Sequence, residues 1–181
     1  MTVEPVCRAL DELGASYALI GAHAIAARGY PRFTVDVDLL TSDPRVLERE
    51  TWALVEREGG SVDPRRGDED DPLAGVVHIE LADESEVDVI LARWKWEAGV
   101  IDRAERMMVM GSLLPVARAS DLILLKLSAG GYLDLHDAAA LLRIGDRALL
   151  VRDVEAHIGE VRPDVRALWR ELLERQGHTL E

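Results

Sequence analysis

The sequence predicts an α/β (α+β) fold: a mixed β-sheet with flanking helices and a helical lobe at the carboxy terminus. Three observations predict it. Through residue 118, short apolar runs bounded by glycine, proline and acids alternate with helical periodicity. From Ser120 onward the periodicity is helical only. A length of 181 residues, without a linker-like stretch, suits one well-buried fold with two lobes, residues 1–118 as the core and residues 119–181 packed on it.

Glu4-Pro5 opens a helix in which Val6, Ala9, Leu10 and Leu13 recur at i, i+3, i+4 and i+7, and Gly14 stops it. Residues 17–20 read as a strand, Gly21-Ala22 as a turn into a short helix over 22–28, Gly29-Tyr30-Pro31 as its break, and 34–40 as a second strand. Asp43-Pro44 starts a helix that runs to about Glu58 and ends at Gly59-Gly60. Residues 63–75 carry turn formers and charge without periodicity and read as a mobile loop; their acids lack the spacing of an EF-hand loop. Residues 76–81 and 87–91, joined by Ala-Asp-Glu-Ser-Glu, read as an antiparallel hairpin, and a further strand near 107–114 precedes Pro115. Ser120 is a plausible N-cap, and helices follow over 121–129, 135–144, roughly 151–158 and 164–176, the last with Val165, Leu168, Trp169, Leu172 and Leu173 at helical spacing.

A net charge of −13 argues against broad coating of nucleic acid, which is mainly an electrostatic attraction to phosphate. The charge is uneven: residues 41–91 hold fifteen acids against five arginines, whereas residues 22–35 hold Arg28 and Arg32 and no acid, so an anionic ligand can still dock locally. No apolar run approaches the roughly 20 residues that span a bilayer, and the amino terminus lacks a basic segment followed by a hydrophobic stretch, so the expectation is a cytoplasmic protein without a membrane partner. The single cysteine, Cys7, excludes an internal disulfide and fits a reducing compartment. Only Lys95 and Lys126 are lysines among 21 basic residues, which draws notice to each.

The chemistry concentrates in Asp36-Val37-Asp38. On a strand, residues i and i+2 share a face, so the two carboxylates project side by side while Val35, Val37 and Leu39 face the core. Such a pair can hold two Mg²⁺ (or Mn²⁺) ions, which take oxygen ligands and also grip phosphates. A third carboxylate would place an attacking hydroxyl; Asp88, between Val87 and Val89, is the candidate, with Glu86 on the same strand face as its competitor. Upstream, Gly21 permits close backbone approach and the helix start after it presents unpaired N–H groups, so a triphosphate could rest at Gly21-Ala22 with Arg32 and Thr34 as added donors. Lys126 interrupts an apolar run, either to neutralise phosphate or to reach water from a buried helix. His23 reads as a helix-start histidine packed beside the strand, and Trp94-Lys95-Trp96 as packing before base stacking.

With these residues in view, the chain resembles the nucleotidyltransferase superfamily related to DNA polymerase β. Its signature is a hydrophobic residue, Gly-Gly or Gly-Ser, then 9 to 13 residues and a hydrophobic-flanked Asp-x-Asp; Ile20-Gly21-Ala22, thirteen residues, and Asp36-Val37-Asp38 fit that spacing. Ala22 departs from the usual Gly or Ser, which leaves only backbone contacts there. The string from Arg32 through Thr34 to Asp38, with Lys126 and then Asp134 and Asp137 in order, looks more narrowly like the AbiEii branch that includes MenT-type toxins. The resemblance covers residues 16–142. It implies attack of an acceptor hydroxyl on the α-phosphorus of a nucleoside triphosphate with release of pyrophosphate. Asp36, Asp38 and Asp88 would be metal ligands, Asp88 would orient the hydroxyl, and Lys126 would neutralise phosphate. Asp137, ahead of Asp134, would have a defined role at the nucleotide, although either also serves as a helix cap. By analogy with the toxin branch the acceptor is RNA, at the tRNA 3′ end, and a cognate antitoxin is a possible partner. A protein side chain or an aminoglycoside hydroxyl could accept by the same chemistry, and a non-catalytic module that binds nucleotide or an antitoxin partner is the competing reading.

Overall fold

A computed structural model of the chain describes residues 3–31, 33–69, 71 and 73–177. Two compact units are present, one of Met1–Ala27 with Pro31–Ala117, the other of Arg28–Tyr30 with Arg118–Glu181.

The first unit runs α1 (Glu4–Leu13), β1 (Tyr17–Ile20), α2 (Gly21–Ala27), β2 (Asp36–Thr41), 3₁₀ turns at Pro44–Leu47 and Arg49–Trp52, α3 (Ala53–Arg57), β3 (Ser61–Arg66), β4 (Gly75–Glu80), β5 (Glu86–Leu91), α4 (Lys95–Asp102), β6 (Glu105–Val109) and β7 (Ser112–Val116). Pro5 sits in the first turn of α1, and Gly14 ends the helix at φ 72°, in the left-handed region. The seven strands form one sheet in the order β3-β4-β5-β2-β1-β7-β6. It is mixed: β2 pairs with β5 and β1 with β7 in parallel, and the other neighbours are antiparallel. Along β5 and over residues 36–39 of β2 the alternation is strict. Val37, Leu39, Val87 and Val89 are fully buried on one face, and the acids between them lie on the other.

Three segments differ from the sequence reading, each for a local reason. The helix expected over 43–58 is broken into two 3₁₀ turns and a short α3, because side chains there bond to the backbone in place of the helical ladder. Asp43 accepts from the Arg45 N–H, Thr51 Oγ1 donates to the Arg45 carbonyl at 2.7 Å, and fully buried Trp52 donates its indole N–H to the Val46 carbonyl at 2.7 Å. The expected mobile loop over 63–75 begins as strand β3, on the sheet edge where Pro64 costs no ladder bond to a further neighbour. Beyond β3, the Arg93 guanidinium ties the connection down by donating to the carbonyls of Asp68, Glu69 and Leu73 at 2.8, 2.7 and 3.2 Å. The single strand expected over 107–114 is a hairpin, β6 and β7, turning at Met110 (φ 52°) and Gly111 (φ 79°).

Helix α4 was not anticipated; it is opened by the buried Glu97, whose carboxylate accepts from the backbone N–H groups of Arg93 and Trp94 at 2.7 and 2.9 Å. Of the tryptophan pair, Trp96 is buried and Trp94 stands out to solvent.

The second unit holds α5 (Ala119–Ala129), α6 (Tyr132–Ile144), α7 (Arg147–His157), a 3₁₀ turn at Ile158–Glu160 and α8 (Pro163–Gly177). Leu122, Ile123, Leu124 and Leu127 bury α5 on most of its circumference, and Trp169 of α8 is buried with its indole N–H donating to Glu155 at 2.6 Å. The ring of Tyr30, from the short upstream piece of this unit, lies 6.1 Å from that of His136. Among the described residues no helix is long and apolar enough to cross a membrane.

Two successive positive φ values suit a tight hairpin turn that prefers Asn-Gly, and a bulky methionine is strained at the first of them. Met110→Asn should therefore raise stability, by up to about 1 kcal/mol, read as a higher urea midpoint with an unchanged slope.

Candidate functional site

Register builds the polar face of the first unit. Across β1, β2, β5, β4 and β3 the paired positions are Ile20, Asp38, Asp88, His78 and Asp63; in the next row Asp36 pairs with Glu86, Glu86 with Glu80, and Glu80 with Ser61. Neighbouring strands lie about 4.8 Å apart, so Asp36, Asp38 and Asp88 share one face of two adjacent strands. Like charges held this way repel, and the consequences are visible. Asp36, as hydrogen-bond partner and as charge, pushes the Glu86 carboxyl above the usual carboxylate range, with some added desolvation and the charges of Glu80 and Asp88 acting in the same sense. Asp36 Oδ1 is buried and has no hydrogen-bond partner. Burial depresses the His23 imidazole, and the charge of Asp36 partly offsets it, so this α2 histidine lies within the field of the same acid.

Gly21 has a structural cause beyond its turn. Its φ of 64° is left-handed, and a Cβ added there would meet Asp38 Oδ2 at 1.8 Å, so the carboxylate rests against the bare backbone at the junction of β1 and α2. Ala22 is buried beside it. Thr34 Oγ1 donates to the Asp36 carbonyl at 3.4 Å, a local bond on the approach to β2. Arg32, the other expected donor, lies outside the described residues.

Lys126 and Asp137 belong to the helical unit. There the Lys126 ammonium, from α5, donates to Asp134 Oδ1 at 2.6 Å and stands 3.3 Å from Oδ2 of Asp137, both on α6. Asp137 is only 2% exposed, so a cation beside it is what makes its burial tolerable.

One neighbour of these acids was not read from the sequence. His78 Nδ1 lies 2.6 Å from Asp88 Oδ1, and the pair opens on a cleft of about 260 Å³ lined by Ser61, Asp63, Ile79, Glu80 and Glu86. The signal was available: in the hairpin of β4 and β5, residues whose numbers sum to 166 are paired, which sets His78 opposite Asp88.

As a donor set for Mg²⁺ or Mn²⁺, three carboxylates on one face with an orphaned buried oxygen have suitable chemistry. Among the described residues no three acids, histidines or cysteines already converge on a common point at ion-binding distance.

No family model matches the sequence, and no curated protein matches it. Solved structures do. The antibiotic-resistance factor ANT(2'')-Ia in solution matches with a TM-score of 0.56 over 98% of this chain and 94% of its own, at 19% identity. The lincosamide antibiotic adenylyltransferase LnuA, with lincomycin bound, matches at 0.52 over 80% of this chain and 99% of its own, at 11% identity. The fold is that of the nucleotidyltransferases. A candidate nucleotidyltransferase from Thermotoga maritima adds a TM-score of 0.50 over 71% of this chain and 84% of its own, at 15% identity. At such identities the likeness is one of fold.

Gly14 and Gly21 are both left-handed, but a Cβ at Gly14 meets nothing within 4 Å. Gly14→Ala should cost only backbone strain, about 1 kcal/mol, whereas Gly21→Ala should cost clearly more because Asp38 must also move. Urea unfolding of the two variants side by side measures the difference, and equal losses would remove the Asp38 contact as its cause.

Proposed function

We propose that the chain is a divalent-metal-dependent nucleotidyltransferase that transfers NMP from a nucleoside triphosphate to an acceptor hydroxyl. The observation that carries this reading is the alignment of Asp36, Asp38 and Asp88 on adjacent strands, at the switch between β1 and α2. When bound, Mg²⁺ or Mn²⁺ supplies positive charge at the phosphate oxygens and at the attacking hydroxyl. Asp36 and Asp38 would hold it, with Asp88 as third ligand and as the group that orients the hydroxyl. The backbone at Gly21-Ala22, with Arg32 and Thr34, would receive the triphosphate. By the motif order Lys126 would neutralise phosphate; within the helical unit its ammonium is paired with Asp134 and Asp137. The protein contributes position and electrostatics, and the hydroxyl oxygen displaces pyrophosphate at the α-phosphorus.

For the acceptor, the motif order supports the tRNA 3′ end and, with it, a toxin of the AbiEii kind with an antitoxin partner. A second reading is favoured by the cleft beside Asp88, whose lining includes Asp63, Glu80 and Glu86. That surface repels a polyanion and suits a small hydroxylated acceptor carrying ammonium groups. LnuA, a lincosamide antibiotic adenylyltransferase whose structure holds lincomycin, shares the fold.

Incubation with each α-labelled triphosphate, Mg²⁺ or Mn²⁺, and either total RNA or a panel of amino sugars tests both readings. The parent should transfer label to one class of acceptor, and Asp36→Asn should lower the rate by about 10²-fold or more. Equal labelling by both proteins would sink the assignment. Mg²⁺-dependent nucleotide binding with no pyrophosphate release would identify a binding module instead.

A further inference from the structure

His78 stands on the polar face of β4, where the apolar positions of the same strand, Val77 and Ile79, face the other way and are buried. Its side chain keeps 42% of its surface exposed, so it contributes little to the core. What it does contribute is a bond. Nδ1 lies 2.6 Å from Asp88 Oδ1, and because an ionised carboxylate only accepts, Nδ1 carries the proton. Nδ1 is therefore the donor of the pair, and Nε2 stays outside this bond. The bond also holds the carboxylate. The carboxylate plane of an aspartate turns about its last torsion in a broad well, and Asp88 stands beside Asp38 on the next strand. With one oxygen, Oδ1, engaged by the imidazole, the plane is held and the other, Oδ2, is the oxygen left for an incoming hydroxyl or cation.

We propose that His78 is the positioning residue of the third carboxylate: its Nδ1–H fixes Asp88 so that Oδ2 alone serves the acceptor hydroxyl. The inference rests on the nucleotidyltransferase reading above. It requires no proton to leave His78, and it separates His78 from a structural histidine, because its loss should leave the fold intact while disordering one catalytic oxygen. Partners that orient ligating or catalytic groups in this way typically matter by about 10- to 100-fold.

The experiment compares three variants in nucleotidyl transfer. His78→Asn places an amide N–H near the position of Nδ1 and should retain kcat within about 3-fold. His78→Gln, which offers its amide where Nε2 was, and His78→Ala should each lose about 10- to 100-fold in kcat. KM for the triphosphate and Tm should be unchanged throughout. Parental kcat in His78→Ala, or equal losses in the Asn and Ala variants, would overturn the proposal. A second measurement does not depend on turnover: imidazole ¹⁵N shifts at about pH 8, above the ordinary imidazole range, should report Nδ1–H for His78 in the parent and lose that signature in Asp88→Ala. An Nε2–H tautomer in the parent overturns the positioning bond whatever the activity. An inactive parent with an Nδ1–H imidazole defeats the reaction assignment and leaves the bond standing, so the two failures are distinct.

Discussion

Parallel pairing of β2 with β5 is the constraint on which the rest of the site depends. The pairing aligns Val37 with Val87 and Leu39 with Val89 on the buried face, and the same register sets Asp36 against Glu86 and Asp38 against Asp88 on the other. A slip of one residue would send the acids into the core and the apolar residues to water. Each of the four buried side chains is worth about 1.5–3 kcal/mol, whereas two like charges about 5 Å apart near a protein surface repel by about 3 kcal/mol, less where one of them takes up a proton. Burial wins, so the crowding of carboxylates is imposed by the core. The raised Glu86 carboxyl and the unpartnered Asp36 Oδ1 are the marks of that crowding.

Gly21 links this face to α2. The chain leaves β1 at Ile20, which pairs with Asp38, and must turn at once into a helix. A left-handed residue makes the turn, and the missing Cβ lets the Asp38 carboxylate lie against the backbone. The small residue thus serves the metal-ligand candidate directly, in addition to any approach of phosphate to the backbone. His23, two residues on, brings an imidazole with a buried, unpartnered Nε2 into the field of Asp36, so strand, turn and helix converge on one pair of acids.

What was legible in the sequence follows from how local each signal is. Period-two alternation reported β2, β4 and β5, and the helical stripes reported the second unit, because both depend on which face is buried. The alignment of Asp36, Asp38 and Asp88 on one face could be anticipated from alternation, but which acid neighbours which needed the sheet order. β3 was missed because Pro64 and three charges are what an edge strand tolerates and a loop also shows. The break of the 43–58 segment was missed because the buried indole of Trp52 claims the Val46 carbonyl, a tertiary demand absent from any helical pattern. Helix α4 is capped by Glu97 in place of a Ser or Asp at its start, so the usual opening signal is missing. His78 escaped because a lone histidine in a strand carries no motif; only the hairpin register gives it a partner.

On the proposed reading, charge also acts on both substrates. The face that includes Asp36, Asp38, Glu86, Asp88, Glu80 and Asp63 meets a triphosphate of like sign, and a free nucleotide approaching it gains nothing from the field. The positive charge that Lys126 would offer a phosphate is partly balanced by Asp134 and Asp137 within its own unit. On that reading Asp36, Asp38 and Asp88 would hold divalent cations, whose charge would offset the repulsion between this face and the triphosphate. The same field acts on the acceptor. A polyanionic RNA end has to be drawn in by cations at each step, whereas an amino sugar brings its own compensating charge to the cleft beside Asp88. On the same reading the acidic face favours a second substrate that carries its own positive charge.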